Sequence, residues 1–154
     1  MKTNSSGGDQ ALAERVVAGM MSKDAFSKWL GISVSRVSPN AVTTHLLVRP
    51  DMVNGFGVAH GGIAYSLADS ALAFASNTHG SVTVSVDNGI TYPAAVHVGD
   101  ELTAVAEMES STKRLGFFRV TVTNQDGLKV AGFRGTVYKT EKVHGAAKDG
   151  GLVD

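Results

Sequence analysis

Residues 54–77 read NGFGVAHGGIAYSLADSALAFASN, with His60-Gly61-Gly62 near the start and Asp69 in the middle. Between Asp51 and Asp87, Asp69 is the only Asp, Glu, Lys or Arg. Residues 61–75 are small or apolar almost throughout, yet the run falls short of the ~20 residues a membrane-spanning helix needs. A helix over residues 62–77, stopped by His79-Gly80 and buried in a water-soluble fold, accounts for both features. Because it is apolar nearly all round, it must be covered on most sides.

Upstream, Leu12, Val16, Val17 and Met20 have helical spacing, and Ser22 can cap a second short helix that ends at Gly31. Residues 32–37 and 42–48 read as strands joined at Pro39-Asn40. Downstream, residues 82–86, 90–92, 102–108, 117–122 and 130–138 alternate as strands. Asp87-Asn88-Gly89 is an irregularity within the first pair, and Asn124-Gln125-Asp126-Gly127 is a hairpin turn. The expected architecture is α+β, a curved antiparallel β-sheet wrapped around one long central helix. One domain spans 1–154: a helical segment over 9–30, the sheet-and-helix body over 31–140, and a Gly/Ala/Lys-rich tail over 141–154 expected to fray.

Composition narrows the chemistry. The chain has 154 residues, 43% hydrophobic and 18% charged, with 14 Lys+Arg against 14 Asp+Glu. Such a balance argues against nucleic acid or an anionic membrane as partner. No cysteine is present, which excludes disulfides and thiolate catalysis. The polar N-terminus has no signal-peptide core, so a cytoplasmic location is expected. Histidines at 45, 60, 79, 97 and 144 show no metal-ligand spacing, and no metal or other cofactor is expected. There is no G-x-S-x-G elbow or P-loop, and residues 55–60 miss the dinucleotide fingerprint at their last position.

Asp69 is the first candidate for chemistry, since burying an unpaired carboxylate costs several kcal/mol. A carboxylate lodged against backbone amides is the structural alternative. His60-Gly61-Gly62 is the second: two glycines let a ligand approach, and the first amides of a helix suit a developing oxyanion. Asn54 can hold a water or a carbonyl, or simply form a turn. Lys113-Arg114, between two strands, can meet phosphates or remain a solvated hairpin. Tyr65, Phe56 and Phe74 either line a pocket or pack.

The block from Asn54 through His60-Gly61-Gly62 to Leu67-Ala68-Asp69 resembles the PaaI-type acyl-CoA thioesterases of the hotdog superfamily. The likeness continues through Val84-Ser85-Val86, Gly99-Asp100 and residues 130–135, and so covers roughly residues 30–139. It implies that Asp69 activates water or attacks the thioester, and that the Gly61 amide polarises the carbonyl. It further implies that Asn54 positions water or substrate, with His60 and Gly62 beside it, and that Ser85 supplies a hydroxyl used in some relatives. The implied assembly is a homodimer or a homotetramer built as a dimer of dimers, with acyl-CoA bound between subunits. Tyr92-Pro93-Ala94-Ala95 departs from the Tyr/Phe-Leu-Arg-Pro of many relatives, which removes an arginine from that loop. Relatives with glutamate for the aspartate carry a threonine one turn later, where this chain has Ala73.

Gly61 and Asp69 lie eight positions apart on one helix, about 12 Å at ~1.5 Å per residue. A thioester carbon and oxygen need their partners about 3 Å away. One chain therefore serves only one end, and a site shared between two subunits resolves the mismatch. The expected reaction is hydrolysis of an aromatic, phenylacetyl-type acyl-CoA. The rival expectations are an enoyl-CoA hydratase or dehydratase and a non-catalytic acyl-CoA-binding protein.

Overall fold

The computed structural model describes residues 5–148. Two helices, α1 (Ser5–Lys23) and α2 (Ala25–Leu30), precede the hairpin of β1 (Ser33–Ser38) and β2 (Ala41–Leu47). A 3-10 turn (Pro50–Met52) leads to α3 (Gly61–Asn77). Strands β3 (Ser81–Thr91), β4 (Glu101–Ser111), β5 (Leu115–Thr123) and β6 (Lys129–Val143) follow, then one helical turn, α4 (Gly145–Lys148).

The six strands form one antiparallel sheet in the order β1-β2-β4-β5-β6-β3. Its concave face wraps α3, which touches β2, β3, β4, β5 and β6. The expected α+β wrap is what the chain forms. The cause is visible in the alternation: Leu102, Ala104 and Ala106 of β4 and Phe118, Val120 and Val122 of β5 turn inward and are buried. They meet Leu67, Ala68, Ala71, Leu72 and Ala75 of α3, whose small residues let the strands come close.

Three local readings change. Asp24 caps α2 in place of Ser22: its Oδ1 accepts from Ser27 N–H at 2.8 Å and its Oδ2 from Ser27 Oγ–H at 2.6 Å. A carboxylate that satisfies two donors outcompetes a hydroxyl two residues earlier. β3 is continuous through residues 87–89 and carries a bulge between Ser85 and Asp87. β6 runs on to Val143, which pairs with Ser81, so the first part of the expected tail is strand. Residues 149–154 lie outside the described residues.

The sheet ends in two edges. Beyond β6, β3 pairs with nothing among the described residues, and it exposes Val84, Val86 and, just past its end, Tyr92. This long edge strand with apolar side chains forms one boundary of the candidate site. No described helix is long and apolar enough to cross a membrane.

Candidate active site

The site is built at the start and middle of α3 and along β3. His60 is the helix N-cap, and its Nδ1 accepts the Gly62 N–H at 2.9 Å. Gly62 leaves the ring room for this, since a Cβ there would stand 3.0 Å from that same nitrogen and press it aside by a few tenths of an ångström. The sequence suggested two outward amides, whereas the histidine ring takes one. The Gly61 N–H, first in the helix, has no acceptor among the described residues.

Tyr92, which the sequence reading passed over as part of a departing loop, lies across this turn. Its phenol donates to the Gly61 carbonyl at 2.9 Å, and a Cβ on Gly61 would sit 3.2 Å from the ring. Burial, and to a lesser degree the nearby Tyr65, push the Tyr92 phenol further above its ordinary value, so it keeps its proton to donate. A cavity of about 130 Å³ opens beside Gly61, with Tyr92 as one wall.

Asp69 projects from the middle of α3, half-buried. Its Oδ1 accepts from Asn88 Nδ2 at 3.1 Å, and the Asn88 Oδ1 in turn accepts from Ser85 Oγ–H at 2.7 Å. Burial holds the Asp69 carboxyl above the usual carboxylate value, against the smaller opposing pull of Asn88. Oδ2 has no hydrogen-bond partner among the described residues. The carboxylate is thus steadied on one oxygen and free on the other. Sequence reasoning missed Asn88, although the break in alternation at residues 87–89 was its signal.

The remaining candidates scatter. Asn54 turns its Oδ1 back on to the Phe56 N–H at 2.9 Å and shapes the loop that delivers His60. Phe56 is 92% exposed, and Tyr65 packs edge-on against Phe133 with ring centroids 5.3 Å apart. Neither lines the cavity beside Gly61, and Phe74 is buried in the core. Lys113 and Arg114 are exposed in the β4–β5 turn. The register sets that turn level with Val84 of β3, roughly 10–13 Å along the strand from Asn88. Larger hollows of about 570 and 490 Å³ lie beside His45 and between α1 and β1, and neither borders Asp69 or Gly61.

Gly61 and Asp69 occupy the first and ninth positions of one helix, with an amide at one end, a carboxylate along it and an open strand edge beside both. The fold recurs in known proteins. A family model described as the thioesterase superfamily matches residues 56–131. The acyl-coenzyme A thioesterase PaaI of Escherichia coli is 33% identical over 78% of this chain and 86% of its own length. The chain belongs to the thioesterase superfamily.

This thioesterase is also 31% identical to human acyl-coenzyme A thioesterase 13, over 75% of the chain and 84% of that relative. Among solved structures, the E. coli PaaI protein of the phenylacetic acid degradation operon superposes with a TM-score of 0.84 at 31% identity. That match covers 86% of this chain and 96% of the other. The thioesterase thus shares the hotdog fold that its Asn54–Asp69 block suggested.

Proposed function

We propose that this thioesterase hydrolyses aromatic acyl-CoA thioesters at a site completed by two copies of the chain. The observation that carries the reading is the separation of Gly61 from Asp69 along one helix. Eight residues at ~1.5 Å each make about 12 Å, too far for one thioester group to span. The β3 edge offers the remedy. An antiparallel pairing of β3 with its own copy would cover Val84 and Val86 and satisfy the open backbone. A two-fold pairing is self-complementary and yields two equivalent sites. In each, Gly61 of the partner subunit would face Asp69.

In this arrangement the Gly61 N–H, backed by the helix dipole, binds the thioester oxygen as negative charge develops. Asp69 Oδ2 takes a proton from water, and the oxygen of that water attacks the carbonyl carbon. Collapse of the tetrahedral intermediate breaks the C–S bond, and the proton passes to the departing CoA sulfur. Direct attack by Oδ2 would give an anhydride that water then opens, with the same products. Ser85 would act through Asn88, whose Oδ1 accepts its hydroxyl hydrogen bond, and Asn54 by shaping the loop that delivers His60. Lys113 and Arg114 remain candidates for the CoA phosphates at the Val84 end of the edge.

The test is thiol release measured across benzoyl-, phenylacetyl-, acetyl-, hexanoyl- and palmitoyl-CoA. Phenylacetyl-CoA should exceed palmitoyl-CoA in kcat/KM. A preference for palmitoyl-CoA would overturn the aromatic assignment. Hydration of crotonyl-CoA without thiol release would overturn the hydrolytic one.

A further inference from the structure

We infer that the cavity between the start of α3 and the loop after β3 is the acyl pocket, and that Tyr92 and Ala95 set the size of the group it accepts. The inference rests on the proposed thioester hydrolysis and extends it from a reaction to a measured substrate boundary. A thioester whose oxygen sits on the Gly61 N–H has two substituents, the acyl group and the sulfur-linked pantetheine arm. Only one of them can enter the cavity.

The lining decides which. Val58, Ala59, Ala64, Ala95 and Val96 present apolar surface, and Tyr92 closes one side. Little polar surface faces it beyond the Gly61 N–H, which the thioester oxygen itself takes. Ala59 N–H donates to the Val96 carbonyl at 2.8 Å, and His60 N–H to the Met52 carbonyl at 2.8 Å. The Tyr92 hydroxyl is spent on the Gly61 carbonyl. A pantetheine arm placed here would strand its two amides without partners, at a cost of some kcal/mol each. A hydrocarbon group would lose nothing. The acyl group therefore belongs in the cavity and the pantetheine arm outside it.

Volume then sets the class. A protein cavity of about 150 Å³ holds one benzene molecule, and this one measures about 130 Å³. It suits a single aromatic ring or an alkyl chain of similar bulk, and the rest of a palmitoyl tail would be left in water. The wall is also well chosen for a ring. The Tyr92 phenol is pinned by its hydrogen bond, so an aryl group meets a fixed aromatic face at little entropic cost.

Two substitutions probe the pocket without touching Asp69 or Gly61. Ala95→Leu, on an exposed loop, should fill it, and Val58→Ala should enlarge it. For Ala95→Leu, the ratio of kcat/KM for phenylacetyl-CoA to that for acetyl-CoA should fall by about tenfold or more. For Val58→Ala, the ratio of octanoyl-CoA to acetyl-CoA should rise. A binding measurement separates the pocket from the chemistry. In the Asp69→Asn background, calorimetry should show phenylacetyl-CoA binding tighter than CoA, and Ala95→Leu should abolish that increment. Equal affinity for the two ligands, or an increment that Ala95→Leu leaves intact, overturns the pocket assignment. Absence of thiol release by the wild type from every thioester, with the increment present, overturns the hydrolytic reading and leaves the acyl pocket standing.

Discussion

Gly135 of β6 faces Asn88 of β3 so closely that a methyl group on Gly135 would stand 2.8 Å from the Asn88 Oδ1. It would also collide with Leu72 of α3. The bare backbone at Gly135 is therefore what lets Asn88 lean inward from the strand and reach Asp69 on the helix.

Asn88→Ala should raise the pH at which activity is lost on acidification. The Asn88 amide stabilises the ionised carboxylate, and burial already holds Asp69 above the ordinary value. Without the amide the carboxyl rises further, so the base is protonated earlier as pH falls. The acid limb of the kcat/KM profile should shift to higher pH. Gly135→Ala should copy that shift by displacing Asn88. An unmoved acid limb in both variants would show that Asn88 does not steady the reacting carboxylate.

Asp69→Asn should lower kcat by roughly 10²–10⁴, the usual worth of a positioned base, with an unchanged assembly. The substitution preserves shape and removes the charge that would act on water. Thermal melting should stay near or above wild type, because a half-buried carboxylate held above its ordinary value destabilises the fold while ionised. Wild-type turnover in the purified variant would remove Asp69 from the mechanism.

A shared site can be rebuilt from two broken ones. Asp69→Asn lacks the base, and Gly61→Val drives a branched side chain into the Tyr92 ring and obstructs the amide. Refolded together, some dimers would carry both defects in one site and none in the other. Such heterodimers should recover up to about half of wild-type activity per dimer. Native-like heterodimers no more active than either parent would refute a site made from two chains.

Thr44→Val should stabilise the protein. The Thr44 hydroxyl, on the core side of β2, is buried and has no hydrogen-bond partner among the described residues. Valine keeps the shape and removes the unsatisfied group, a gain of about 1 kcal/mol. For a chain of this size that corresponds to a rise of roughly 2–4 °C in Tm. A lower melting temperature would indicate that the hydroxyl has a partner in the working assembly.

Much of this arrangement was legible beforehand, for identifiable reasons. Asp69 stood out because a lone charge in a 35-residue neutral stretch is expensive unless it is used. The sheet could be read because inward residues of β4 and β5 alternate strictly. Asn88 was only half legible: the break in alternation at Asp87-Asn88-Gly89 marked the place, but a bulge reverses which way a side chain points, and its direction follows from the pairing with β6. The continuation of β6 to Val143 depends on pairing with Ser81, more than sixty residues earlier, so composition alone suggested a loose tail. The His60 cap was hidden for another reason. Histidine is not among the preferred cap residues, and the bare backbone at Gly62 gives its ring room.

The two rings laid over the start of α3 also carry an evolutionary consequence. Gly61 leaves space for Tyr92 and Gly62 for His60, so each glycine is bound to one distant or adjacent aromatic partner. A methyl group at either position would press on its partner ring, 3.2 Å from Tyr92 at 61 and 3.0 Å from the His60 imidazole at 62, so the ring must give by a few tenths of an ångström to admit it. Substitutions at 61 and 92 should therefore be inherited as pairs among related lineages, as should those at 60 and 62. The loop after β3 and the turn before α3, remote in the chain, would then diverge as a single unit.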